Sequence, residues 1–337
     1  MSAVSGRIAI IGDGAMGTVC AIMMAENGQQ ARLWSAFPDA ADRLAANREN
    51  KTFLPGKMLP DGVEVTGRDA EIFQDAELAI SAVPTQFMRS VWERLFEHVP
   101  PEMPICSVAK GIENDTLLRP TQILQDVLAA GAGRCVAALS GPSIAPEVAN
   151  HLPATVTIAS VDQDLARRVQ QMISRPYFRV YTNPDLVGVE VAGATKNVIA
   201  IAAGILDGLE MGANAKAALV TRGLSEITRL GVAMGARAET FAGLAGAGDL
   251  ITTCISPIGR NRSFGEAVGR GSAVADALAA TESVVEGVPT TRSVVELAAR
   301  HNVEMPITQA VFDVLFEGKT PNEAIAELMT RPLKAEA

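Results

Sequence analysis

Residues 7–18 read RIAIIGDGAMGT, an apolar, β-branched run that breaks into glycines at positions 12, 14 and 17. The run has the texture of a buried strand, and the alanine- and methionine-rich residues behind it read as a helix through Ala21 to Ala25. In a strand–turn–helix setting the GxGxxG spacing has a mechanical meaning. Gly12 allows the tight turn, Gly14 lets a pyrophosphate approach the backbone, and Gly17 lets helix and strand pack closely. The helix N-terminus then faces the phosphates. The loop points to dinucleotide binding, with a purely structural turn as the alternative.

Outward from this loop, RIAIIG, QARLWS, VEVT, LAISAVP, ICSVAKG, CVAALSGP, ATVTIAS and FRVYT alternate with helical patterns as far as residue 183. Strands recurring at intervals of roughly 20 to 30 residues predict a doubly wound, mostly parallel sheet. After Asn183-Pro184 the texture changes to long helical stretches separated by Gly, Asn and Pro, with hardly any strand pattern. The expected architecture is α/β: a dinucleotide-binding domain over 1–184, then an all-α domain over 185–337 whose tail, RPLKAEA, is loosely ordered.

The bulk composition narrows the function classes. Of 337 residues, 48% are hydrophobic and 20% charged, as in a soluble globular protein with two sizeable cores. A formal charge of -9 disfavours nucleic acid or an anionic membrane as partner, while a few local cations can still serve a small anion. Cys20, Cys106, Cys135 and Cys254 are far apart, so neither a metal site nor a disulfide framework is expected, and a reducing compartment fits. The amino-terminal MSAVSGRIAII lacks the pattern of a secretion signal, and no uncharged stretch approaches the roughly 18 residues of a membrane span. A cytoplasmic protein without membrane insertion is expected.

The second strand ends in LWSAFPDA, with Ser35 and Ala36 where an NAD site usually has an acid. Asp39 is the first acid and Arg43 the first cation beyond it, so the choice between NAD and NADP stays open. Asp13, inside the glycine loop, should point away from a bound pyrophosphate.

Two lysines stand out. In GVEVAGATKNVIAIAAGILDG, residues 188–208, Lys196 shares a helical face with Ala192, Gly193, Ala200 and Ala203, whose small side chains leave room for a substrate beside the ammonium group. Lys110, in SVAKG, stands just past an apolar strand, where open α/β sheets bind ligands. SGPS, residues 140–143, ends the next strand in the same way and reads as a second anion cradle. In LAGAGDLITTCISPIGRNRSFG, Asp249 is a lone acid and Arg260-Asn261-Arg262 suits a phosphate. His98, His151 and His301 receive no role.

The order GxGxxGT, SVAKGIE, LSGPSIAPEVA, GATKNVIAIAAGILDG, NAKAALVTRGLSEI, LAGAGDL, GRNRSFG, VVEGVPTT resembles the NAD(P)-dependent glycerol-3-phosphate dehydrogenases over residues 7–325. The resemblance implies a Rossmann domain followed by a helical one, a homodimer, and reversible reduction of dihydroxyacetone phosphate to sn-glycerol 3-phosphate for glycerophospholipid synthesis. It makes Lys196 the general acid/base, with Lys110 and Asp249 beside it. Cofactor contacts carried over are Gly12, Gly14, Ala15, Met16, Gly17, Lys110, Ala145, Arg260, Val284 and Glu286. Substrate contacts carried over are Lys110, Gly141, Ser143, Lys196, Asn197, Asp249, Thr253, Gly259, Arg260 and Asn261. The cofactor is NAD or NADP, with NADPH slightly favoured by the resemblance.

Three departures bear on cofactor preference and affinity more than on the reaction. Ala15 and Met16 stand where many relatives have Ser and an aromatic residue, Gly259 where bacterial members often have Ser, and Ala36 where NADP-preferring relatives tend to have a basic residue. Two rival readings are a β-hydroxyacid dehydrogenase of similar architecture and a catalytically silent dinucleotide sensor. The adjacent Lys-Asn pair and the RNR segment argue against the first, and the full set of polar site residues against the second.

Overall fold

A computed structural model describes residues 6–128, 135–281, 283–333 and 335, so part of the RPLKAEA tail lies outside the described residues. Strands β1 (Arg7–Ile11), β2 (Gln30–Trp34), β3 (Val63–Thr66), β4 (Ala76–Ser81), β5 (Ile105–Ser107), β6 (Val136–Ser140), β7 (Ala154–Ala159) and β8 (Phe178–Asn183) form one sheet. Their order is β3-β2-β1-β4-β5-β6-β7-β8, with every pairing parallel except β6 to β7. Helices α1 (Ala15–Glu26), α2 (Pro38–Asn47), α3 (Thr85–Leu95), α4 (Pro120–Val127), α5 (Ala145–Ala149) and α6 (Gln163–Ile173) cover it.

Alternation along β1 separates the two faces. Ile8 and Ile10 pack with α1 and α6, while Ala9 and Ile11 pack with α3 and α4. Both faces are apolar, which is why these strands read as near-continuous hydrophobic runs. The winding reverses between β1 and β4, and the glycine loop sits at that switch point, past the carboxyl end of β1. Gly12 has φ +109°, and a Cβ there would stand 2.9 Å from the Ala82 carbonyl oxygen; a Cβ on Gly17 would overlap the Gly12 carbonyl. Beside Gly14 nothing comes within 4 Å, so the loop is packed at its first and third glycines and open at the second. The Asp13 carbonyl accepts from Asn50 Nδ2 at 2.6 Å, which pins the loop from outside.

From Leu186 onward the described elements are helices: α7 (Leu186–Gly208), α8 (Gly212–Ala233), α9 (Ala238–Phe241), α10 (Asp249–Ile255), α11 (Arg260–Gly269), α12 (Val274–Ala279), α13 (Gly287–Arg300), α14 (Pro306–Phe316) and α15 (Pro321–Met329). Helix α7 is the axis of this body. Its N-cap Asp185 accepts from Gly188 N at 2.9 Å, and α8, α10, α11, α13 and α14 all pack on it. A helix apolar on every side belongs in an interior. By length and composition α7 could cross a membrane, although Glu190, Lys196 and Asp207 interrupt it, and 94% of its apolar window is buried inside the protein.

Glycines set the closest helix contact. A Cβ on Gly204 would overlap the Arg262 carbonyl, and one on Gly265 would overlap the Ile201 carbonyl, so α7 and α11 meet backbone to backbone. That contact fixes the start of α11 beside the middle of α7.

The two loop glycines separate folding from binding. Gly14→Ala should leave thermal unfolding within about 2 °C of the parent, since only a few tenths of a kcal/mol are at stake in open space, yet weaken NAD(P)H binding by calorimetry. Gly17→Ala should destabilise by about 1–3 kcal/mol in urea through overpacking. Equal destabilisation by both would contradict this division.

Candidate active site

Four segments deliver side chains to one point between the sheet and the helical body. Helix α7 supplies Lys196 and the loop after β5 supplies Lys110; the turn after β6 supplies Gly141 and Ser143, and α10 supplies Asp249 and Thr253. A π-helical turn, Leu244–Gly248, leads directly into Asp249. Such a turn shifts the register of the helix behind it, here aiming the first side chain of α10 inward.

Asp249 is 2% exposed and is shared by both lysines: Oδ1 lies 2.7 Å from Lys196 Nζ and Oδ2 lies 2.7 Å from Lys110 Nζ. Lys196 also donates to Thr253 Oγ1 at 2.6 Å, and Thr253 donates to the Asp249 carbonyl at 2.7 Å. Lys110 donates to the Gly141 carbonyl at 3.0 Å and approaches Ser143 Oγ at 3.5 Å. Burial pulls Lys196 down to about 8; Asp249 opposes that shift and Lys110 adds to it. Burial alone would raise Asp249, but Lys110 and Lys196 outweigh it and hold the carboxyl below the usual range. The result is an anion between two cations, one of which can release its proton near neutrality.

One partner of the Lys196 ammonium group is a carboxylate 53 residues further along the chain, and Gly193 faces Ser140 Oγ at 2.7 Å from where its Cβ would stand. The reading of SGPS as an anion cradle is corrected: Gly141 has φ +129° and presents a carbonyl to an ammonium group, while α5 behind it has only five residues. It holds a cation.

The resemblance makes Asn197 and Asn261 substrate contacts. In the structure their amides bond to protein: Asn197 Nδ2 donates to the Lys110 carbonyl at 2.8 Å, Asn261 Nδ2 to Asn197 Oδ1 at 3.0 Å, and Gly287 N to Asn261 Oδ1 at 2.9 Å. The reason is helical geometry. One residue past Lys196, the side chain turns by about 100° and faces α11 and α13. This amide chain locks the Lys110 loop to three helices.

The RNR segment splits in the same way. Arg262 turns inward to Asp207 at 2.6 Å and Glu266 at 3.3 Å. Arg260 opens α11 behind its N-cap Gly259, stays exposed, and donates to the Val284 carbonyl at 3.0 Å. Glu286 accepts from Thr85 N at 3.1 Å, tying α13 to the N-terminus of α3, and burial raises its carboxyl. Thr85 also stands beside Gly111, next to Lys110, so the sheet and the helices meet through this contact. Met16 and Ala145 pack part-buried on the same core beside the glycine loop. Sequence reasoning passed over two polar residues here, Thr85 and Ser140; Ser140 Oγ lies 3.5 Å from Asp249 Oδ2. Ser140 was inside a quoted motif, whereas nothing in the sequence marks Thr85.

An open glycine cradle at a sheet switch point, joined to a lysine that burial pulls down to about 8, defines a two-part dinucleotide-dependent oxidoreductase. Residues 7–166 match the family model for the NAD-dependent glycerol-3-phosphate dehydrogenase N-terminus, and residues 185–326 match that for its C-terminus. The chain belongs to the NAD-dependent glycerol-3-phosphate dehydrogenase family. It is 47% identical over 330 residues to a glycerol-3-phosphate dehydrogenase [NAD(P)+] of Citrifermentans bemidjiense, covering 98% of each chain. It is 47% identical over 332 residues to a protein of the same name from Koribacter versatilis, again covering 98% of each. The crystal structure of a glycerol-3-phosphate dehydrogenase from Coxiella burnetii superposes with a TM-score of 0.93 at 36% identity, over 97% of this chain and 99% of that one.

Removing the shared anion tests the electrostatics directly. Asp249→Asn should cost about 3 kcal/mol at pH 6.5, because the buried Lys196 and the part-buried Lys110 lose their shared partner. Above pH 8 the folded state holds Lys196 neutral, so the deficit should shrink by pH 9. Urea unfolding at both pH values measures it, and a deficit that grows with pH would contradict the assignment.

Proposed function

We propose that this chain interconverts dihydroxyacetone phosphate and sn-glycerol 3-phosphate with NAD or NADP, using Lys196 as the general acid/base. The observation that carries the reading is the Lys196–Asp249–Lys110 group, in which burial brings one lysine to about 8 without displacing it from its carboxylate. The open space beside Gly14 fits a pyrophosphate, and Gly12, Gly17, Ala15 and Met16 shape that cradle. Val284, Glu286 and Ala145 line its approach in this reading.

Bound there, the cofactor supplies or accepts the hydride. The remaining work belongs to the protein. Lys196, protonated, donates to the C2 oxygen in the reductive direction; neutral, it takes that proton back in the oxidative one. Asp249 and Thr253 hold the ammonium group in one orientation, and Lys110 polarises the substrate oxygen while lowering the proton affinity of Lys196. Arg260, exposed at the start of α11 with Gly259 before it, binds the phosphate of the substrate. Binding that remote group positions the carbonyl. Gly141 and Ser143 bound the site through Lys110, and Asn197 and Asn261 keep it in register.

In this reading the dinucleotide-binding unit ends near residue 184, the protein is a cytoplasmic homodimer, and its product feeds glycerophospholipid synthesis. A β-hydroxyacid dehydrogenase offers no role for an exposed guanidinium at Arg260. Comparison of dihydroxyacetone phosphate with 3-hydroxy acids at 340 nm separates the two.

Lys196→Ala should lower kcat for dihydroxyacetone phosphate reduction by about 10²–10⁴-fold while NAD(P)H binding stays within threefold; turnover near the parent value would remove Lys196 from the chemistry. The pH profile carries a sign. Reduction needs the protonated lysine and should fall as pH rises through about 8, whereas oxidation needs the neutral lysine and should rise over the same range. Profiles of the same slope in both directions would contradict the acid/base role.

A further inference from the structure

Resting on the dinucleotide reading above, we infer that Arg94, on α3, is the residue that recognises the 2′-phosphate of NADP(H) in this chain. The carboxyl end of β2 is where dinucleotide folds distinguish the two cofactors, an acid there serving the ribose hydroxyl and a cation the 2′-phosphate. Ser35, Ala36 and Phe37 put no charge at that place, and Ser35 Oγ is taken by Phe37 N at 3.3 Å. Arg43 is exposed on α2 one helical turn past Asp39, so the two charges offset each other on one face.

A guanidinium arrives from elsewhere. Arg94 Nη1 donates to the Ala36 carbonyl at 2.9 Å, and its guanidinium carbon lies 5.1 Å from the ring centroid of Trp34, the last residue of β2. Asp69 holds it there through Nε at 2.7 Å and Nη2 at 2.8 Å, and accepts from Trp34 Nε1 at 3.1 Å. Those bonds use three of its five N–H groups, leaving two without a partner among the described residues. The side chain remains 41% exposed while Asp69 is 24% exposed. Asp69, with its acceptors turned to Arg94 and Trp34, orients the guanidinium and does not serve as the ribose acid.

Calorimetric binding of NADPH and NADH, independent of turnover, tests this with the parent, Arg94→Ala and Asp69→Asn. Arg94→Ala should weaken NADPH about tenfold or more, the scale of one charged hydrogen bond, and leave NADH within about twofold. Asp69→Asn, which keeps the guanidinium and removes the competing anion, should raise the NADPH-to-NADH affinity ratio. Parallel weakening of both cofactors in Arg94→Ala, or an unchanged ratio in either variant, overturns the inference. If Arg94→Ala does not fold, the ratio in Asp69→Asn decides alone. A parent protein that binds neither cofactor removes the dinucleotide reading itself, and this inference with it.

Discussion

One carboxylate between two ammonium groups organises this molecule. Asp249 is almost fully buried, and a buried carboxylate survives as an anion only with cations against it. Lys110 and Lys196 supply that at 2.7 Å each. The arrangement is asymmetric in consequence. Two positive charges share one negative charge in a poorly hydrated place, so one lysine is held loosely as an acid. Lys196, at the centre of the apolar helix, is the one whose proton affinity falls to about 8.

Much of the fold serves to bring these three groups together. Lys110 depends on the end of β5, Asp249 on the π-turn before α10, and Lys196 on a helix buried on every side. The glycine contact between α7 and α11 brings Arg260 and Asn261 alongside, and the amide chain through Asn197 fastens the Lys110 loop to that pair. Glu286 on Thr85 closes the same connection between α13 and α3. The polar residues around the site therefore divide into those that face solvent, chiefly Arg260, and those that hold backbone in place.

Local signals in the chain were legible and long-range pairings were not. Most of the strands lie where apolar runs end in Gly, Pro or Ser, because strands buried on both faces carry a strong local pattern. The glycine loop was readable because each glycine answers a separate steric demand. Lys196 was visible as a cation amid small and apolar residues. Its partner was not, since Asp249 lies on another helix and helical periodicity reports only neighbours within one helix. The same blindness put phosphate beside Arg262, whose partner Asp207 sits on α7. Arg94 was beyond reach for a related reason: it arrives at β2 from α3, and no spacing rule connects Trp34 to a residue so far along the chain.

The central claim is that burial beside a shared carboxylate gives Lys196 a proton affinity suited to acid/base work. A direct titration of its side chain by NMR, with the ¹³Cε or ¹⁵Nζ signal assigned through Lys196→Arg, measures this in the free protein. The expected midpoint is near 8. A midpoint close to 10.5, the ordinary lysine value, would contradict it.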